Sequence, residues 1–254
     1  MYAVIVLGSF AVSWAIQDVI SPVLSAKMSS AYRSLSAKDR ADWNNRLLSS
    51  CASIVLGALA VYGFLRDSGL KPDVVRYESP YMKVACAIVV GYVVADLIII
   101  AFRYRYLATP LMILHHVVTA VTCILCGLMS PLAHFYGNMQ LLAELSNPLL
   151  HLRRLLTLSG WSYTSPPHVV TSLAFMTMFF LVRVATIPVC WYGWVYLLMP
   201  QPEYGRAEYA TAWRIAIALG VVLHGLYLYW FYTICQMAKR SVQSLLQKEA
   251  VKKK

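Results

Sequence analysis

The chain has 254 residues, 59% of them hydrophobic and only 13% charged. Soluble domains carry about a quarter of their residues as charges, so this composition excludes an ordinary globular protein and points to a membrane one. The 22 Lys and Arg against 11 Asp and Glu sit in short clusters between apolar runs, the arrangement of topology signals and not of a nucleic-acid surface.

A helix crossing a bilayer needs about 20 mostly apolar residues. Seven stretches qualify, at 2–24, 47–65, 81–102, 110–129, 132–152, 168–198 and 211–236. The reading is therefore all-α: a multi-pass integral membrane helix bundle of about seven transmembrane helices, with six to eight allowed. The first stretch, MYAVIVLGSFAVSWAI, lacks a basic start and a small-x-small site, so it reads as a retained span and not as a cleaved signal. Only SPLAH separates the fourth and fifth stretches, which predicts a tight antiparallel hairpin, and Pro188 predicts a kink in the long sixth. The six cysteines (51, 86, 123, 126, 190 and 235) lie almost wholly in apolar runs, where Cys packs as a small hydrophobe. CILC in the fourth span is read the same way, and no disulfide framework is implied.

Charged side chains inside a bilayer cost at least about 2.5–3.5 kcal/mol on insertion scales, so they face the bundle interior and mark function. They are Asp96 in the third span, His115 and His116 in the fourth, Glu144 in the fifth, Arg183 in the sixth and His224 in the seventh. At about 1.5 Å per residue, Asp96, His115 and Glu144 fall at comparable depths, in the half nearest Arg103 and Arg153. Gln140, Glu144, Asn147 and His151 recur at i, i+4, i+7 and i+11, one stripe of the fifth helix, which lipid forces inward. Pro148 frees a backbone carbonyl one turn earlier, as a polar cavity there would require. Arg183 is placed to pair with Asp96 or Glu144, and His224 to act as an interhelical hydrogen-bond link.

Adjacent histidines project about 100° apart on a helix, so His115 and His116 do not chelate one metal as i, i+4 pairs do. No metal or cofactor is expected. What remains is proton transfer, acyl chemistry or hydrogen bonding to a ligand. Thr119, at i+4 from His115 and i+3 from His116, is placed to orient one ring. One helix face cannot hold both rings inward equally, and His116, on the side of Thr119 and Ala120, is the one expected to dominate.

Several motifs occur in one order: WNNR with Ser49 before the second span, GYVVAD ending at Asp96, HHVVT from His115, LLAELSNPLLHLR around Glu144, and FFLVR ending at Arg183. Together they resemble the TLC-domain family, which includes the ceramide synthases. The resemblance covers roughly residues 35–240 and implies a domain of seven or eight helices around a cavity, flanked by an N-terminal helix and loop (1–34) and a basic cytosolic tail (241–254). In the synthases the paired histidines are essential for moving an acyl group from acyl-CoA to a sphingoid amine; His115 and His116 match them. The two acids of the synthases' D-x-S-D motif correspond to Glu144 and Asn147, with Ser146 kept between them. Many members closer to this chain carry a histidine in a Ser-x-x-His pattern where it has Ala52. Both departures favour a protein that binds, senses or moves membrane lipid (a sphingolipid, a fatty acyl chain or a phospholipid) and contributes to lipid homeostasis. The alternative is a ceramide-synthase-like N-acyltransferase with acyl-CoA as co-substrate. In either case His115, His116 and Glu144 are the candidate catalytic residues, and Asp96, Thr119, Gln140, Ser146, Asn147 and Arg183 the candidate ligand-binding ones.

The resemblance implies residence in the endoplasmic reticulum. With the N-terminus lumenal and the C-terminus cytosolic, fifteen Lys and Arg fall on the cytosolic side and six (Arg66, Lys71, Arg76, Lys83, Arg206 and Arg214) on the other. A tag placed after Lys254 should therefore be digested by protease added to intact microsomes; protection of the tag would refute this orientation.

Overall fold

A computed structural model describes residues 1–67, 73–130, 133–202 and 207–252, with side chains left undescribed at 207–209 and 240–252. Of the residues used above, Lys71, Arg206, part of SPLAH, Lys253 and Lys254 lie outside the described set. Seven long helical runs make up the described chain: α1 (Tyr2–Met28), α2 (Ala37–Arg66), α3 (Pro80–Arg103), α4 (Pro110–Met129), α5 (134–158), α6 (Pro166–Leu198) and α7 (Ala207–Lys252). The backbone of α7 continues as helix through the start of the basic tail.

The helix starts are written in the sequence. Ser79–Pro80, Thr109–Pro110 and Ser165–Pro166 each put a capping residue before a proline, whose missing N–H is one the first turn leaves unpaired anyway. Ser79 Oγ accepts from Met82 N (3.2 Å) and Thr109 Oγ1 from Met112 N (3.2 Å). At the end of α5, Gly160 takes φ +82°, and the bonds Trp161 N–Leu156 O and Gly160 N–Thr157 O, both 3.0 Å, close the helix in the paired pattern of a left-handed glycine stop.

Six of the runs are long and apolar enough to cross a membrane by length and composition. The fifth predicted stretch is the exception. It is split into His134–Leu141 and Asn147–Leu158 by a tighter helical turn at Leu142–Ser146. The cause is Pro148, which has no N–H for the carbonyl of Glu144 and whose ring would meet that carbonyl in a straight helix; Asn147 N–H donates to it instead. Packing nonetheless holds α5 inside the bundle. It lies antiparallel to α2: Asn138 Nδ2 donates to Ala60 O (2.9 Å), Leu145 sits against Gly57, Ser53 meets Glu144, and Arg154 reaches Asp42. The chain is thus a multi-pass, all-α membrane protein.

The predicted tight hairpin also changes. Beyond their linker α4 and α5 part company, α4 packing on α3 and α7 while α5 packs on α2 and α6, and the space between them is left open. In α6 the helix widens at Phe180–Val184, where Ala185 N bonds Phe180 O (2.9 Å), just before Pro188. This is where a proline disturbs the turn that precedes it.

α3 is the most enclosed helix, and small residues make that possible. Ala85, Ala87, Gly91 and Ala95 let α1 and α2 come close, and Ser9 Oγ donates to Ile88 O (2.8 Å) across the α1–α3 contact. A Cβ on Gly91 would stand 2.2 Å from the carbonyl oxygen of Val6, a backbone atom that cannot swing away. Gly91→Ala should cost about 1–3 kcal/mol, the usual penalty of overpacking, read as a lowered Tm of the detergent-solubilised protein. Gly8→Ala, with open space around it, should leave Tm unchanged.

Candidate functional site

The open space between α4 and α5 holds two chambers. The larger, about 390 Å³, lies toward the end marked by Arg46 and Arg153, with Asp96, His116, Asn147, His151 and Arg183 in its wall. The smaller, about 110 Å³, lies toward the opposite end, walled by Met82, Cys86, Val89, Trp194, Leu223 and others. Three residues border both: His115, Thr119 and Glu144. They form the waist between a chamber whose wall carries ionisable and amide side chains and a more apolar one.

The predicted stripe of α5 faces this space despite the tightened turn. Gln140 borders the small chamber, Glu144 both, and Asn147 and His151 the large one. Gln140 Nε2 donates to His224 Nε2 (2.8 Å) and to Cys190 Sγ (3.1 Å), so His224 links α7 to α5 as read from the sequence. Cys123 and Cys126, with Cys86 opposite, line the small chamber as part of its apolar wall.

The two histidines are not equivalent. His116 Nε2 meets Asp96 Oδ2 at 2.8 Å, its Nδ1 meets the Met112 carbonyl at 2.8 Å, and Asn45 Nδ2 donates to Asp96 Oδ1 (2.6 Å). A carbonyl can only accept, so Nδ1 carries a proton, and one further proton is shared between Nε2 and the carboxyl. Asp96 is 2% exposed, and this pairing is what makes its burial tolerable. His115 is held only by rings, edge-on to Trp230 (5.4 Å) and to His116 (5.7 Å), and its buried Nδ1 has no hydrogen-bond partner among the described residues. The Thr119 hydroxyl is likewise buried and unpartnered there, so it does not orient a ring as expected.

Glu144 does not meet either imidazole by a hydrogen bond. Its Oε2 accepts from Ser53 Oγ (2.7 Å) and Asn147 Nδ2 (3.0 Å). Of the three groups expected at a common depth, His115 and Glu144 both border the two chambers, while Asp96 is offset for a geometric reason. Asp96 is tied to α2 at Asn45 and Glu144 at Ser53, eight residues and about 12 Å further along the axis. Arg183 pairs with neither acid among the described residues. Its Nη2 donates to Asn147 Oδ1 (2.8 Å) and to the Ala143 carbonyl (3.1 Å), its Nε to Ser146 Oγ (3.0 Å), and Tyr227 and Phe179 stack beneath it at 4.7 and 5.2 Å. Ser146 thus supports Arg183 from behind and does not line either chamber.

Asn45, Ser53, Tyr227 and Trp230 were not legible as site residues. The first two had a signal: Asn45, Ser49 and Ser53 recur every four residues on α2, a polar stripe matching that of α5. The aromatic pair had none, because rings at helical spacing serve lipid-facing and core surfaces alike. The acid that couples to His116 is Asp96 and not Glu144. In a double-mutant cycle on the solubilised protein, Asp96→Leu and His116→Leu should show an interaction energy of about 1–3 kcal/mol, while His116→Leu and Glu144→Leu should add to within about 0.5 kcal/mol.

The TLC domain matches residues 42–236, which takes in every site residue described above. The chain is 29% identical to TLC domain-containing protein 4-A of Xenopus laevis over 236 residues, covering 91% of this chain and 89% of that protein. It is 29% identical to TLC domain-containing protein 4 of Homo sapiens over 233 residues, covering 91% and 87%. With TLC domain-containing protein 2 of Mus musculus it shares 30% identity over 176 residues, covering 66% and 52%. A match across three quarters of its length, carrying the paired histidines and the helix stripe around Glu144, makes the chain a member of the TLC-domain family.

Proposed function

We propose that the protein binds a membrane lipid in the two-chambered cavity and, by sensing or moving it, contributes to lipid homeostasis in the endoplasmic reticulum, with its N-terminus lumenal and its C-terminus cytosolic. The observation that carries this reading is the division of the cavity. One chamber offers apolar walls, the other ionisable and amide side chains, and they meet at a waist of His115, Thr119 and Glu144. An amphiphile has the same division, and the larger chamber falls in the size range of small-molecule sites. Residues 35–240 are the lipid-handling unit in this reading, with 1–34 at its side and 241–254 as a tail. Asp96, Thr119, Gln140, Asn147 and Arg183 border or hold the ligand, and Ser146 positions Arg183.

A second reading, an N-acyltransferase using acyl-CoA and a sphingoid base, is favoured by one observation. His115 stands at the waist with a buried ring nitrogen that no described residue engages, whereas both nitrogens of His116 are occupied. In that case His115 takes the amine proton, with His116 held beside it by Asp96, and Glu144 lies across the waist.

The two readings separate in one preparation. Protein purified in mild detergent should carry lipid detectable by mass spectrometry after extraction, and Thr119→Trp, which fills the waist, should lose most of it while eluting normally on size exclusion. Incubation with sphinganine and a fatty acyl-CoA should give no N-acyl product. Product formation abolished by His115→Ala would instead establish the second reading, and lipid-free, inactive protein would refute both.

A further inference from the structure

A third pocket, of about 240 Å³, opens at the end of the bundle beside the large chamber and shares Arg46, Leu150 and Arg153 with it. Arg154, Thr157 and Tyr163 complete its wall. Three arginines therefore line one small space, and one acid meets two of them: Asp42, which accepts from Arg46 Nε (2.9 Å) and from Arg154 Nε (2.7 Å). The net charge of the four groups is +2. Arg153 is the unsatisfied member. Its Nε is buried and has no partner among the described residues, and no acid lies within ion-pair distance of it there.

Arginines near a membrane surface ordinarily snorkel to water or mark orientation. Neither explains three arginines around one small pocket with a single acid among them. The surplus of positive charge calls for an anionic acceptor. The acceptor that matches two uncompensated positive charges and forked N–H donors is a dianionic, multi-oxygen group. The pocket's shared wall with the large chamber says what carries that group. A phosphate held here sits at the mouth of the chamber, so a chain attached to it enters directly.

We propose that Arg46, Arg153 and Arg154 form a binding site for the phosphate of a lipid headgroup whose hydrophobic part occupies the two chambers. This assignment rests on the lipid-binding reading given above and names the class of lipid: a phosphate monoester such as phosphatidic acid, in preference to a neutral or zwitterionic one.

The test uses the full chain in neutral detergent and four probes: short-chain phosphatidic acid, diacylglycerol of the same chains, inorganic phosphate and coenzyme A. Phosphatidic acid should bind about tenfold more tightly than diacylglycerol, the gain expected of one charge-assisted contact. Inorganic phosphate and coenzyme A should compete only weakly. Arg153→Gln should abolish most of the preference for phosphatidic acid over diacylglycerol, and Arg153→Lys should restore part of it. Equal binding of the two lipids by the wild-type protein, or a preference that survives Arg153→Gln, would overturn the proposal while leaving the lipid cavity standing. Coenzyme A binding as tightly as phosphatidic acid would reassign the pocket to a nucleotide carrier, and tight binding of inorganic phosphate alone would reassign it to a free anion. If neither lipid binds, the cavity reading fails and this one with it.

Discussion

Asn147 joins a half-buried carboxylate to a buried guanidinium without letting them touch. Its amide nitrogen donates to Glu144 Oε2 and its amide oxygen accepts from Arg183, while Ser53 donates to the same Glu144 oxygen. A bilayer offers no water to either charge, so each must be satisfied from other helices or be expelled. This chain of bonds is how α2, α5 and α6 are held at one level, and it sets the wall against which both chambers form. A direct ion pair would have drawn Arg183 toward Glu144 and across the waist. The amide between them keeps the charges in balance and the space open.

The break in α5 belongs to the same arrangement. Pro148 cannot donate to the helix, and the turn before it tightens, leaving the Ala143 carbonyl to accept from Ser146 Oγ and from Arg183. A straight α5 would keep that carbonyl within its own helix. The irregular backbone is tolerated because it lies within the protein and beside a cavity, where its freed groups find partners. The cost of the interruption is offset by a partner for Arg183 that no unbroken helix could supply.

The paired histidines divide their tasks through what surrounds them. His116 is tied down at both ring nitrogens, and it neutralises Asp96 between α3 and α4. His115, one position earlier and about 100° around the helix, packs against the rings of Trp230 and His116 and borders both chambers, its Nδ1 without a hydrogen-bond partner among the described residues. One imidazole therefore serves the fold and presents its neighbour to the cavity. Their separation follows from helical geometry, and their different roles from which neighbours each meets.

Much of this was legible in the residues. Hydrophobic run lengths set the class and nearly the number of spans, Ser–Pro and Thr–Pro pairs marked helix starts, and the spacing of Gln140, Glu144, Asn147 and His151 identified an inward stripe. Which acid meets His116 was not legible: it is Asp96 and not Glu144. Periodicity says which side of its own helix a residue occupies; it does not say how far one helix is shifted along another. That shift is set by the packing of small residues such as Gly57 and Gly91 against their neighbours. It separates Asp96 from Glu144 by about 12 Å along α2 and gives Arg183 to Asn147 instead of to an acid. Sequence alone determined which groups had to leave the lipid. Tertiary packing decided which of them met, because only the axial register between helices brings one buried polar atom within reach of another.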